Sequence, residues 1–161
     1  LSLHDALPIL TERPILFSAP MVRAILAGTK TVTRRLGWDF LQPGDRACAV
    51  VKGQGIPKGG SIERIRIIEC VSNRAEPLWR MLLDPDYGKQ EAVKEGFPEM
   101  DGLEFVEMLI KHHTSKRKVV DRNTAPNRIE FRYVDEARSN CCAAAVRRDD
   151  DEGKVRPRWL R

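Results

Sequence analysis

The residues best suited to chemistry lie between Arg23 and Arg35. Lys30, Arg34 and Arg35, with Arg23 a short way upstream, gather several cations at one place in the chain, and Thr31 and Thr33 add hydroxyls that both donate and accept. Cations position a phosphate, while hydroxyls and carboxylates read a base edge or a ribose, so the segment has the makings of a nucleotide or RNA contact surface. Aromatic stacking is the missing element. Phe, Trp and Tyr make up 6% of the chain and this segment contains none, which argues against tight nonspecific single-strand binding. A second cationic cluster, His112 and His113 beside Lys111, Lys116, Arg117 and Lys118, could also contact phosphates. Its plainer reading, which we adopt as the expectation, is a solvated helix end whose cations complement the helix dipole.

Other chemistries are excluded by what the chain lacks. It has no GxxxxGK[ST] phosphate loop, no GxGxxG turn, no HExxH and no GxSxG. Of its 4 cysteines, Cys141 and Cys142 are adjacent while Cys48 and Cys70 stand alone, so neither CxxC nor a Cys/His ligand spacing exists. The expectation is reduced thiols in the cytoplasm, with no metal and no cofactor. No stretch approaches the roughly 18 consecutive apolar residues of a membrane-spanning helix. The 161 residues suit one domain, and the net charge of +5 is common on proteins that never touch nucleic acid. Its distribution is more informative: residues 1–12 carry two acids and no bases, residues 135–161 six acids and seven bases, and residues 13–134 hold 21 bases against 15 acids.

That division matches the pattern of the chain. The first nine residues, Leu1 to Ile9, resemble the translation of a sequencing adapter, so residues 1–12 are expected to be artefactual or disordered. Residues 135–161 show no strand alternation and carry opposed charge blocks, which predicts a disordered charged tail. Between them, Arg13 to Ser18 reads as a strand. Pro20, Met21, Val22, Ile25 and Leu26 predict a helix closed by Gly28, and Thr31 to Arg35 predicts a strand with Thr31, Thr33 and Arg35 on one face. Alternation turns Arg34 to the other face from these, away from the expected partners of Lys30, and leaves it a surface residue in this reading. A turn at Gln42 to Asp45 leads to a strand over Ala47 to Val51; Gly53 to Gly60 is turn-rich, and Ile62 to Val71 reads as a strand with a bulge at Ile67 and Ile68. Helices are expected over Glu76 to Leu83, over Gly88 to Glu95 ended by Gly96, and over Asp101 to Lys111 behind a capping box, with a closing strand from Arg128 to Val134. Strands outnumber long helices and do not alternate regularly with crossovers, which indicates an α+β or small-barrel fold.

The run from Ile15 to Arg35 resembles the N-terminal signature of ASCH domains, especially in short proteins of phage and bacterial genomes. The signature is a strand, a helix ending in Gly, then K-x-x-T-x-R, and after a loop a Gly-Asp pair leading into a strand. Here those positions are Gly28, Lys30, Thr33, Arg35, Gly44 and Asp45. Glu95-Gly96 is similar to the family's acidic and small residues at a helix end, and Ile129 to Phe131 to its last strand. Two departures stand out: Ala47 and Ala49 occupy positions where larger aliphatics are usual, and the loop from Arg35 to Gly44 lacks the aromatic-rich insertion of phage-type members.

The resemblance implies a PUA-like β-barrel with flanking helices spanning residues 13–134. It also implies RNA, or a modified nucleoside or nucleotide, as partner, bound in a basic cleft with Arg23, Thr31 and Arg35 as contacts. A subgroup of the family resembles an amidohydrolase that deacetylates acetylcytidine, and its Lys, Thr and Glu correspond to Lys30, Thr33 and Glu95. In that reading Lys30, its pKa lowered, takes the proton of Thr33, which attacks the acyl carbon, and Glu95 orients Lys30 or relays a proton to the leaving amine. Three readings stand side by side: a nucleoside or RNA binder, an amidohydrolase, and a phage-derived host-interaction protein without catalysis.

Overall fold

A computed structural model of the chain describes residues 13–51 and 63–134. The expectations for residues 1–12, for Gly53 to Gly60, for Ile62, for Cys141 and Cys142, and for the tail from 135 to 161 lie outside the described residues.

Short strands build a sheet and helices cover it. The elements are β1 (Arg13–Leu16), α1 (Ala19–Leu26), β2 (Val32–Arg35), β3 (Arg46–Val50), β4 (Arg64–Ala75), α2 (Arg80–Leu83), α3 (Pro85–Lys94), α4 (Gly102–His113) and β5 (Asn127–Tyr133). The five strands lie in the order β1-β3-β4-β5-β2, with β1 parallel to β3 and every other pair antiparallel. The sheet curls into a half-barrel which, with the four helices, makes an α+β arrangement. Helix α1 carries the chain from one edge of the sheet to the other.

One core lies between the sheet and α1, from Ile15, Phe17, Met21, Ile25, Ala49, Ile68 and Phe131; a second, from Leu78, Met81, Phe105, Val106 and Leu109, holds α2, α3 and α4 together. The helices start and stop where local chemistry says they must. Pro20 sits in the first turn of α1, Asp84 caps α3 by accepting from the Asp86 and Tyr87 amides, and the capping box of Asp101 and Glu104 is formed at α4.

Two local expectations are corrected. Ile67 and Ile68 sit in regular register against Cys48 and Ala47, both buried, because both faces of β4 are covered there. The register shifts occur instead beside Val50 and between Cys70 and Ser72, and β4 continues to Ala75. The helix expected from Glu76 is confined to Arg80–Leu83; Glu76 precedes it and is 3% exposed, turned inward by its ion pairs.

Candidate functional site

Three chain segments meet at the end of β2. After α1 closes at Gly28, with φ of 73°, the Thr31 amide donates to Lys94 O at 2.9 Å and the Phe131 amide to Thr31 O at 2.9 Å. The linker is thereby pinned between the end of α3 and β5. Glu95 is the residue that ends α3, and Gly96 follows with φ of 93°, a conformation L side chains rarely adopt. A Cβ at Gly96 would stand 3.2 Å from Ala24 Cβ and 3.7 Å from Lys30 Cβ, so the turn lies directly on the lysine.

Lys30 is 2% exposed. Its Nζ donates to Glu95 Oε2 at 2.8 Å, to Glu95 O at 2.6 Å and to Val32 O at 2.8 Å. Burial lowers its pKa below the ordinary 10.5; Glu95 pulls it back up, and the nearby Arg35 and Arg34 push it further down. The Tyr133 hydroxyl donates to Lys30 O, and burial pushes that phenol up to about 12.

Arg34 is the main correction to the sequence reading. It is 4% exposed and belongs to the site rather than to the surface. Its Nη1 donates to Glu95 Oε1 at 3.2 Å, and its Nη2 to Glu76 Oε1 at 2.7 Å and Glu91 Oε2 at 2.9 Å. Burial disfavours its charge, but Glu95, Glu76 and Glu91 outweigh that and raise its pKa. Arg128, opposite Arg34 on β5, grips Glu91 with Nε at 2.7 Å and Nη2 at 2.8 Å. Alternation correctly sets Arg34 on the face opposite Thr33, yet that face is covered by α3, and Glu95 at the end of α3 reaches both Arg34 and Lys30. The buried cations Lys30, Arg34 and Arg128 are thus matched by the buried carboxylates Glu76, Glu91 and Glu95.

Beside this network lies a cavity of about 330 Å³. Lys30, Thr33, Arg34, Arg35 and Glu95 line one side, Phe17 and Met21 another, and Phe97, Phe105, His112 and His113 the side formed by the end of α3 and by α4. Thr33 is 3% exposed and is not among the three acceptors of Lys30 Nζ. Arg35 is half-buried, donates from Nη2 to Leu16 O and lays its guanidinium 4.8 Å from the centre of the Phe17 ring. Arg23 is exposed on α1 and Thr31 is held through its backbone; neither lines the cavity.

The two histidines lie in the last turn of α4, as a solvated helix end implies, with His112 exposed, and both also border the cavity. His113 is half-buried, and burial, then His112, Arg35 and Lys118, lower its pKa. The signal for them was available: Phe105, Leu109, His112 and His113 follow the three- and four-residue spacing of one helix face, and that face borders the cavity. The aromatic rings missing from the motif segment are likewise supplied from distant parts of the chain, by Phe17, Phe97 and Phe105.

No family model matches this chain, and no curated protein matches it. Among solved structures, it is similar to the crystal structure of an ASCH domain from Lactobacillus crispatus JV V101. That likeness has a TM-score of 0.51 at 16% sequence identity and covers 75% of this chain and 78% of the other. Among the described residues no helix is long and apolar enough to cross a membrane. The likeness shows that the chain has the fold of an ASCH domain.

Proposed function

We propose that the cavity binds a modified nucleoside, free or within RNA, and that Lys30, Thr33 and Glu95 cleave an acyl group from its exocyclic amine. One observation carries this reading: a buried lysine, 2.8 Å from a buried carboxylate, lines the same cavity as a buried threonine. A volume of about 330 Å³ suits one nucleoside, being at the small end of ligand pockets at roughly 300–1,000 Å³. Phe97, partly exposed in the lining, offers an aromatic surface for a base.

In the reaction, neutral Lys30 accepts the proton of Thr33 as Thr33 Oγ1 bonds to the acyl carbon. The carbon–nitrogen bond breaks, and the amine leaves with a proton returned from Lys30, directly or through Glu95. Water then cleaves the Thr33 ester and releases the acid. Arg34 and Glu91 hold Glu95 and its neighbours in place, so they act as positioning residues.

A second reading, a nucleoside or RNA binder without chemistry, is favoured by the three acceptors that already occupy the Lys30 ammonium. Incubation with acetylcytidine separates the two. Release of cytidine, lost in Thr33→Ala, supports the hydrolase. Binding without release assigns the cavity to recognition alone, and absence of both contradicts the nucleoside reading.

A further inference from the structure

We propose that Arg35 and His113 form a phosphate-ester site at the side of this cavity, so that the ligand is a nucleotide rather than a bare nucleoside. This rests on the nucleoside reading above and adds a chemical class to it.

The argument begins with charge. In the floor, every buried cation has a buried carboxylate: Lys30 pairs with Glu95, Arg34 with Glu76, Glu91 and Glu95, and Arg128 with Glu91. Arg35 differs. Among the described residues it makes no ion pair; its Nε–H, like that of Arg34, is buried without an acceptor. Glu95 acts on Arg35 electrostatically, but Glu95 Oε1 is taken by Arg34 and Oε2 by Lys30. A half-buried cation with no carboxylate partner is a costly arrangement, and an anion that reaches its guanidinium offsets that cost.

His113 lines the same cavity, and the groups acting on it are His112, Arg35 and Lys118. All of them can carry positive charge, and no carboxylate is among them. The cavity is therefore lined by Lys30, Arg34 and Glu95, whose charges are paired, and by Arg35, whose charge is not. A guanidinium and an imidazole that line one cavity suit the oxygens of a phosphate, the guanidinium through its fixed fork of donors. Phe17 lies beneath Arg35 at 4.8 Å and holds the guanidinium plane in place.

The phosphate could belong to a free nucleotide or to an RNA chain, and the experiment has an arm for each. Titration calorimetry on the full chain carrying Thr33→Ala, which keeps bound substrate intact, compares acetylcytidine, its 5′-monophosphate and a short oligoribonucleotide containing the same base. The monophosphate is expected to bind on the order of tenfold more tightly than the nucleoside, the effect of a charge-assisted contact. Adding Arg35→Gln should bring that ratio close to one, Arg35→Lys should restore part of it, and His113→Gln should lower it. If Arg35→Gln fails to fold, the His113→Gln ratio still decides. An oligoribonucleotide that binds as tightly as the monophosphate, with affinity falling as salt rises, identifies RNA as the source; weaker binding than the monophosphate identifies the free nucleotide. Equal affinities for nucleoside and monophosphate, or a ratio unchanged in both variants, would overturn the phosphate site and leave the nucleoside reading standing. No binding by any of the three would overturn both.

Discussion

Lys30 can serve as a base only after losing a proton, and its surroundings set the pH at which it does so. Burial lowers its pKa from 10.5, Glu95 raises it, and Arg35 and Arg34 lower it. The hydrolytic rate should therefore rise with pH, on a limb centred below 10.5. Glu95→Gln removes the group that raises the pKa and should move the limb to lower pH; Arg35→Gln removes one that lowers it and should move the limb higher. Rate–pH profiles of the two variants check both signs. The neighbouring Arg34 is structural in a different sense, since its removal takes one cation each from the buried Glu76, Glu91 and Glu95 and leaves Glu76 to the exposed Arg74 and Arg80. Arg34→Met should destabilise the fold by about 3–5 kcal/mol in chemical denaturation. Lys30, Thr33 and Glu95 were named through the resemblance to ASCH domains, and all three line the cavity. Arg34 was missed because alternation reports which face a side chain takes but not what covers that face.

At the scale of elements, the site depends on how α3 is seated. A Cβ at Gly88 would stand 2.3 Å from Met81 O and 3.0 Å from Gly102 Cα, so α2, α3 and α4 meet where two glycines leave room for backbone. Gly88→Ala should cost about 1–3 kcal/mol by overpacking and loosen the end of α3 that presents Glu95; thermal unfolding and the hydrolytic rate measure the two effects. Helix ends were legible because caps are local: Gly28 and Gly96 close α1 and α3, and Asp101 with Glu104 opens α4. The register shifts of β4 were not legible, since they depend on how β3 and β5 pair on either side of it. The α4 histidines fall between these cases. Their spacing was visible, but a cavity on that side was not.

For the whole molecule, the buried ion network links stability to pH. Glu91 is 0% exposed, and although burial favours its neutral form, Arg128 and Arg34 bring its pKa down from 4.5 to about 2. A carboxylate with a depressed folded-state pKa contributes stability above its unfolded pKa and loses it as pH falls through the folded value. The protein should therefore lose on the order of 3 kcal/mol from Glu91 between about pH 4.5 and 2, seen as a falling denaturation midpoint over that window. The architecture was largely legible in the order of strands and helices. The cavity was not, because its rings come from Phe17, Phe97 and Phe105, which only the folded chain brings together. Cytidine release from acetylcytidine by the wild-type chain and by Lys30→Ala tests the catalytic claim most directly. The arrangement predicts turnover by the wild type and a fall of at least about a hundredfold in the variant; bound acetylcytidine left intact by the wild type, or equal rates in the two proteins, would contradict it.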